Sequence, residues 1–516
     1  PNPARLPVKR ETDRTDTNRL KLFKIQMRRK PEIHADFINA KVFCFAVVLF
    51  AIICSTSFGQ SITWQRILDN NYGSLYQAQQ TKDGGYIAVG SDRIDNTNKL
   101  YLTKVDFESN TEWTKIFGII NTEGTWVIET DDHGFAVCGR TDSAGWDKCY
   151  LVKTDLMGNV LWQKMYNVSD MDKANCLKQT NDGGYIIAGY TFPLRTGIYL
   201  IKTDSYGNSV HQKVYYNPNE SKVAKEFVIM NGFYYVIGDI FYDNQTDVFI
   251  MKLSNELDSI WTKRFGGTNN DFGYSIDSIK HNELIFTGSS NSYNSNNKYE
   301  SLVCKMDTNG NIIWQHTYSG LGREISRSIR VINDSLYVFS GSSDSLNNNT
   351  NKAKIRLIDY NGNVLFENSY LPGTVGAGFE STELTSDNGF ISSGYVIQNG
   401  AVENMYIVKS DSLLKAQPIG LINISENIPQ KFRVYPNYPN PFNPVTSINF
   451  DISTKTEVKL IIYNTLGQTI ESINFGSQNA GSYNYKWQPT NIPSGIYFCK
   501  VIAGDSFNII KMALLK

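Results

Sequence analysis

The sequence predicts an all-β protein built from repeats, and three observations support this fold class. A short strand pattern ends in a glycine that returns about every fifty residues, a spacing typical of radial or stacked repeat arrays. A second strand pattern follows each glycine and, in most copies, ends in an aspartate before a Gly-Asn turn. The 30 tyrosines and 27 phenylalanines are residues that strands favour. The recurring glycines are Gly90, Gly139, Gly189, Gly238, Gly288, Gly341 and Gly394.

Each repeat predicts four antiparallel strands, A to D. Asp-Gly-Gly turns, as at Asp83, Gly84 and Gly85, join strands A and B, and Gly-Asn turns join strands C and D. Strand D carries a tryptophan in several copies: Trp113, Trp162, Trp261 and Trp314. Four-stranded repeats of this length, arranged radially, form a β-propeller, and the seven glycines predict seven blades.

The seventh repeat has no tryptophan strand after it, whereas an unassigned strand precedes the first repeat. That strand, around Trp64 and Arg66, matches the pattern of strand D. We expect the N-terminal strand to complete the seventh blade, close the ring and remove two open sheet edges.

Residues that recur from blade to blade are expected to be structural. Each aspartate before the C–D turn should accept backbone N–H bonds, each strand C lysine should have a solvated tip, and each tryptophan should pack between neighbouring blades. The aspartates are Asp106, Asp155, Asp204, Asp307, Asp359 and Asp411, and the lysines are Lys104, Lys153, Lys202, Lys252, Lys305 and Lys409.

Non-repeating residues in the long loops are better candidates for ligand binding, because variable loops on a rigid scaffold commonly carry function. Trp146, Tyr242 and Tyr293 lie in B–C loops and Arg323 lies in a D–A loop. Exposed aromatic residues there could stack on a sugar or dock a protein. The alternative is that these loops are solvated connectors.

Few residues point to catalysis. Five histidines (His34, His133, His211, His281 and His316) are spread over the chain, and no HExxH, GxSxG or phosphate-binding glycine loop occurs. We therefore expect no catalytic, cofactor-binding or metal-binding residue. The net charge of +0 gives no indication of nucleic-acid binding. Charged side chains converging in the propeller channel would favour the alternative of a polysaccharide-acting enzyme, and a smooth polar face would favour a structural envelope protein.

The N-terminal region predicts export. Residues 41–59 have the short apolar stretch and small-residue end of a signal peptide, so residues 1–40 are not expected in the mature protein, which should have no transmembrane segment. Five cysteines follow. Cys138 and Cys149 flank one B–C loop and could pair.

The propeller is expected to span residues 60–418 and a linker residues 419–430. Residues 431–516 then predict a small immunoglobulin-like β-sandwich of alternating strands separated by Gly, Pro and Asn turns. This segment contains the run Pro439, Asn440, Pro441, Phe442, Asn443 and Pro444, followed by Gly467, Gly495, Tyr497 and Lys511.

These C-terminal motifs closely resemble the sorting domain of type IX secretion substrates. The resemblance implies a secreted protein that passes an outer-membrane translocon and is then released or anchored at the surface by a sortase-like peptidase. A simple tether domain is the alternative. The blades resemble, less specifically, quinoprotein-like propellers, as in Asp155, Gly158 and Trp162. Together these features predict a secreted or surface-displayed module that binds glycan or protein.

Overall fold

The computed structural model describes residues 62–515, with gaps at 69–71, 119–120, 170, 193–195, 295–296, 345–349, 373–374, 399–401, 417–420, 426–427, 488 and 490–491. The predicted upstream segment and signal peptide lie outside the described residues, as does part of the predicted linker. The described chain is all-β, with antiparallel four-stranded sheets throughout.

Seven consecutive sheets precede the C-terminal region, and we number them in chain order. Sheet 1 comprises β2 (Tyr72–Gln80), β3 (Tyr86–Ile94), β4 (Thr97–Val105) and β5 (Thr111–Phe117). Sheet 2 comprises β6 (Glu123–Glu129), β7 (Phe135–Ser143), β8 (Trp146–Thr154) and β9 (Val160–Tyr166). Sheet 3 comprises β10 (Asp172–Gln179), β11 (Tyr185–Thr191), β12 (Gly197–Thr203) and β13 (Ser209–Tyr215). Sheet 4 comprises β14 (Ser221–Met230), β15 (Phe233–Tyr242), β16 (Gln245–Leu253) and β17 (Ser259–Phe265).

The remaining three follow the same plan. Sheet 5 comprises β18 (Asp271–Ile279), β19 (Glu283–Ser290), β20 (Glu300–Asp307) and β21 (Ile312–Tyr318). Sheet 6 comprises β22 (Glu324–Asn333), β23 (Leu336–Asp344), β24 (Asn351–Asp359) and β25 (Val364–Tyr370). Sheet 7 comprises β26 (Gly376–Leu384), β27 (Phe390–Gln398), β28 (Val402–Ser410) and β1 (Trp64–Leu68), with Trp64 opposite Lys409.

The first strand of each sheet packs against the first strand of the next, and we call these seven the inner strands. They are β2, β6, β10, β14, β18, β22 and β26, and β26 in turn contacts β2. Apolar residues from neighbouring sheets fill the space between them, as in the cluster that joins Leu75 of β2 to Ile407 of β28. The architecture is that of a β-propeller.

The recurring aspartates hold the turns before the fourth strands, as expected. Asp155 accepts hydrogen bonds at Oδ1 from the backbone N–H groups of Met157 (2.9 Å) and Asn159 (2.8 Å). The recurring tryptophans pack against the next sheet, also as expected: Trp113 lies 5.7 Å from Phe135 between ring centroids.

The expectation of solvated lysine tips is wrong for Lys104, Lys153, Lys305 and Lys409, all of which are buried. Their ammonium groups pair with carboxylates at or next to the turn that joins the first two strands, as Lys153 does with Asp132 at 2.9 Å. Burial of a lysine is tolerated here because a carboxylate lies within ion-pair distance. Cys138 and Cys149 are free and buried, so the possible disulfide is also not formed.

The C-terminal region forms two further sheets. One is ordered β29 (Leu421–Ser425), β34 (Gly481–Trp487), β31 (Thr446–Ile452) and β30 (Arg433–Val434), and the other β33 (Thr469–Gln478), β32 (Thr456–Asn464), β35 (Gly495–Ala503) and β36 (Ser506–Leu514). Their inward residues share one apolar cluster that includes Phe450, Leu460 and Trp487. Alternating burial along β31 and β34 gives each strand one apolar face.

Candidate functional site

Every inner strand contains a β-bulge at the same place. In β2 the pairing with β3 steps from Leu75 opposite Gly90 to Gln77 opposite Val89, so no residue of β3 lies opposite Tyr76. A bulge of this kind redirects the side chain of its extra residue. The seven bulge residues are Tyr76, Thr125, Asn175, Lys225, Tyr274, Arg327 and Glu380.

The recurring glycine is what permits each bulge. At Gly288 an added Cβ would lie 1.7 Å from the carbonyl oxygen of Phe272, two residues before the bulge residue Tyr274. At Gly139 the corresponding distance, to the carbonyl oxygen of Glu123, is 1.8 Å. Backbone approaches this close exclude any side chain, so the glycine repeat marks the position opposite each bulge.

All seven bulge residues line one pocket of about 230 Å³, which we call the inner pocket. Eight further residues complete its lining: Trp126, Lys173, Tyr190, Glu226, Ser275, Ser328, Arg330 and Ser381. Each sheet thus contributes the side chain of its bulge residue to the inner pocket. The scaffold around these positions repeats, whereas the identities of the bulge residues differ.

Two of the bulge residues bind the neighbouring inner strand. Thr125 donates from Oγ1 to the carbonyl oxygen of Ala174 at 2.8 Å, and Asn175 donates from Nδ2 to that of Ala224 at 2.6 Å. Residues next to the bulges act similarly: Ser275 accepts the N–H of Ile329 at 3.1 Å. These bonds fix the inner strands relative to one another and so preorganise the pocket.

Arg330 lines the pocket and links the sheets around it. It is buried, and its Nη2 lies 3.0 Å from Glu226 of sheet 4 and 2.7 Å from Glu383 of sheet 7. Nη1 donates to Ser275 Oγ at 2.9 Å and to its own neighbour's carbonyl, Ile329 O, at 2.7 Å. One guanidinium therefore ties sheets 4, 5 and 7 to its own sheet 6.

Cationic and aromatic groups alternate around the rest of the pocket. The guanidinium of Arg327 lies 4.3 Å from the ring centroid of Tyr274, and Lys225 Nζ lies 6.0 Å from the same ring. Lys173 Nζ lies 5.9 Å from the ring of Tyr76. Burial raises the pKa of both tyrosines, so their phenols remain neutral hydrogen-bonding groups at physiological pH.

The loop residues expected to bind ligand lie elsewhere, and none is among the residues lining the inner pocket. Trp146 is 51% exposed at the start of β8, and Tyr242 is 42% exposed with Arg264 stacked at 5.1 Å. Tyr293 is 43% exposed. Arg323 stacks on Tyr299 at 4.9 Å. Trp146 and Tyr242 belong to sheets 2 and 4, whereas Tyr293 lies in the loop after β19 and Arg323 in the loop before β22.

Sequence reasoning missed the bulge residues, although a positional pattern marks them. Each lies fourteen residues before its repeat glycine, except Lys225, which lies thirteen before Gly238. A search for residues fourteen positions before each glycine, with identity ignored, would have found six of the seven and missed Lys225 by one position. Residue type gave no indication, because no two adjacent copies share one.

The proline-rich run of the C-terminal region holds the last strand. Phe442 is buried and packs on Trp487 with ring centroids 5.4 Å apart, and its N–H donates to the carbonyl oxygen of Ala513 at 2.9 Å. Asn440 accepts at Oδ1 from the N–H of Ala513 at 2.9 Å and donates from Nδ2 to the carbonyl oxygen of Lys511 at 3.1 Å.

The other C-terminal motif residues have local roles. Gly467 adopts a φ of 76° in the turn after β32. Tyr497 is buried against Trp487, with centroids 5.8 Å apart, and its hydroxyl donates to the carbonyl oxygen of Pro493 at 2.7 Å. Gly495 begins β35, while Pro441, Asn443 and Pro444 are exposed.

The described residues contain neither a cluster of metal ligands nor a membrane-spanning helix. No group of three or more His, Cys, Asp or Glu side chains there could hold a metal ion. Within the same residues, no helix has the length and apolar character needed to cross a membrane.

Comparison with known proteins gives one family match and several distant structures. No curated protein sequence matches the chain. The WD40 domain of Neurospora crassa Pan2 is 10% identical, with 69% of this chain and 98% of that chain covered and a TM-score of 0.45. The β-propeller domain of the Trilobed protease from Pyrococcus furiosus is also 10% identical, with 65% and 93% covered and a TM-score of 0.39. Chaetomium thermophilum Sqt1 is 9% identical, with 67% and 97% covered and a TM-score of 0.37.

Residues 436–515 match the family model of the secretion system C-terminal sorting domain. The match covers the segment in which Asn440 and Phe442 hold β36. The expected resemblance to type IX secretion substrates is confirmed, and the chain carries the signal for export to the cell surface.

Proposed function

We propose that this protein is an exported β-propeller that binds a glycan in its inner pocket. The observation that carries the proposal is the convergence of seven bulge residues, one from each sheet, on a single pocket. Hydroxyl, amide, ammonium and carboxylate groups lie there beside aromatic rings, the combination that sugar hydroxyls and ring faces engage. A volume of about 230 Å³ suits one or two sugar rings.

In this proposal the seven sheets form a closed ring. Two contacts support closure: β1 pairs with β28, and the Ser74 hydroxyl of sheet 1 donates to Glu403 Oε2 of sheet 7 at 2.9 Å. The ring spans residues 60–418, and a linker over 419–430 leads to an immunoglobulin-like sandwich over 431–516. An outer-membrane translocon and a sortase-like peptidase are the partners of that sandwich.

A small concave pocket favours a glycan over a protein ligand, because protein interfaces need a broad contact area. The loop residues Trp146, Tyr242 and Tyr293 do not line the inner pocket. In contrast, side chains from all seven sheets converge there. For this reason the proposal moves the ligand site from the loops to the inner pocket.

A second candidate is a polysaccharide-acting enzyme, because two carboxylates, Glu226 and Glu380, line the same pocket. Paired carboxylates perform glycoside hydrolysis, and burial raises the pKa of Glu226, as a general acid requires. However, Glu226 Oε1 faces Arg330 at 3.0 Å and Oε2 accepts the N–H of Ile276 at 3.3 Å. Since both oxygens already have partners, we favour binding.

A glycan array probed with the purified full chain tests the proposal. We expect binding that is lost in Tyr274→Ala and kept in Trp146→Ala. Loss in Trp146→Ala with retention in Tyr274→Ala would place the ligand on the loops instead. Turnover of a bound polysaccharide that stops in Glu380→Gln would replace the binding proposal with the enzyme.

Export is tested separately by deleting residues 436–515 in the native host. The truncated chain should accumulate in the periplasm, and the full chain should reach the surface. Arrival of the truncated chain at the surface would overturn the proposed role of the translocon.

A further inference from the structure

Arg327 lines the inner pocket with donors that the protein leaves unused. Its closest carboxylate oxygen is Glu380 Oε2, 3.7 Å from Nε, beyond hydrogen-bond distance. Its side chain makes no hydrogen bond with the described residues. Its plane is held instead by the ring of Tyr274 at 4.3 Å, and 34% of its side chain is exposed. A guanidinium orientated by stacking, with free N–H groups, is preorganised for an incoming acceptor.

The contrast with two nearby arginines shows that this is particular to Arg327. Arg330 is fully engaged by Glu226, Glu383 and Ser275. Arg356 of β24 pairs with Glu324 at 2.9 Å and with Glu367 at 3.0 Å. Only Arg327 among these three has its fork available to a ligand.

Two further polar groups, one of them unsatisfied, lie in the same pocket. The hydroxyl of Ser381 is buried and has no hydrogen-bond partner. Lys225 also lines the pocket, and its Nζ lies 3.4 Å from Asp239 Oδ2 in an ion pair. A buried polar group without a partner is costly, which points to a ligand that supplies one.

We propose that the glycan bound in the inner pocket is acidic, with its carboxylate held by Arg327 and Lys225 and a hydroxyl group held by Ser381. The planar fork of arginine matches a carboxylate through two parallel N–H···O bonds. This inference rests on the proposed function, of which it specifies the ligand class: oligosaccharides that contain uronic acid.

Matched pairs of ligands test it with the full chain. Trimers of galacturonate, mannuronate and glucuronate are each compared by calorimetry with the trimer in which the carboxyl groups are reduced to alcohols. At least one acid should bind ten-fold or more tightly than its neutral partner, with affinity falling as salt increases. Equal binding within every pair, or no binding of any acid, would overturn the acidic ligand. Binding of neutral glycans on the array would still support the proposed function.

Arg327→Gln should abolish the preference for the acid, and Arg327→Lys should recover part of it. Arg323→Gln is the matched control, since Arg323 lies just before the same strand, stacked on Tyr299 outside the pocket. It should leave the preference unchanged. Thermal melting of each variant separates loss of binding from loss of folding. A preference that survives in folded Arg327→Gln would overturn the proposed role of Arg327.

Discussion

Trp64 donates from indole Nε1 to the backbone carbonyl oxygen of Phe107 at 3.0 Å. Trp64 belongs to β1 of sheet 7, and Phe107 lies in the turn after β4 of sheet 1. The same bond, from Trp314 Nε1 to the carbonyl oxygen of Tyr360 at 2.9 Å, joins sheets 5 and 6. The N-terminal strand therefore makes the contact with sheet 1 that a fourth strand makes with the following sheet elsewhere in the chain.

From this relationship we predict that Trp64→Ala destabilises the propeller by about 3 kcal/mol, through lost burial and the lost bond to Phe107. Trp64 is 7% exposed. Trp146→Ala is the control, because Trp146 is 51% exposed and its removal should change the free energy of unfolding little. Denaturant unfolding measures both. Equal stability of the two variants would argue against closure by β1.

The glycine repeat makes a second prediction. Gly288→Ala should cost about 3 kcal/mol, because the new methyl group would overlap the carbonyl oxygen of Phe272 and force the bulge at Tyr274 to rearrange. Gly495→Ala places its methyl group 4.0 Å from the nearest atom and should be nearly neutral. If Gly288→Ala unfolds at the same denaturant concentration as the unmodified protein, the glycine is not what permits the bulge.

A third prediction concerns the buried lysines. Asp387→Asn removes the carboxylate that pairs with Lys409, whose side chain is 1% exposed and lies 2.8 Å from Asp387. Loss of the carboxylate that balances a buried ammonium charge should cost about 3 kcal/mol of unfolding free energy. The exposed pair of Lys213 and Asp258 supplies the control, since water solvates both partners there. Chemical denaturation should show a larger loss of unfolding free energy for Asp387→Asn than for Asp258→Asn. Equal losses in the two variants would show that burial does not strengthen the dependence of the lysine on its carboxylate.

Acid pH should weaken the contact between sheets 2 and 3. Burial opposes ionisation of Glu123, but hydrogen bonds and charge from Arg140 and Lys173 outweigh it and lower the pKa of Glu123 to about 2. A carboxyl group with a lowered folded pKa contributes stability above its unfolded pKa, near 4.5, and loses it as pH falls toward 2. The contribution at neutral pH is about 3 kcal/mol.

The measurement is the difference in unfolding free energy between the unmodified protein and Glu123→Gln, taken at several pH values. The difference should be largest near neutral pH and shrink as pH falls below 4.5, because the carboxylate of the unmodified protein becomes protonated. A difference that stays constant over this range would show that the charge of Glu123 does not contribute to the free energy of unfolding.

The sequence alone predicts the repeating scaffold, but it does not predict the inner pocket. Turn residues such as Asp155 and Gly158 have strong local preferences, so the strands and the repeat could be predicted. Burial of Lys153 could not be, since its partner Asp132 lies about twenty residues earlier and only pairing of the strands brings them together. The inner pocket was hidden for a related reason: residues such as Tyr274 share a register position, not a residue type.

The most direct test of glycan binding in the inner pocket is a crystal structure of the full chain soaked with the oligosaccharide that binds most tightly on the array. We predict electron density for a sugar ring between Tyr76, Tyr274 and Arg327. Density at Trp146, Tyr242 or Tyr293, with the inner pocket occupied by solvent alone, would contradict the proposal.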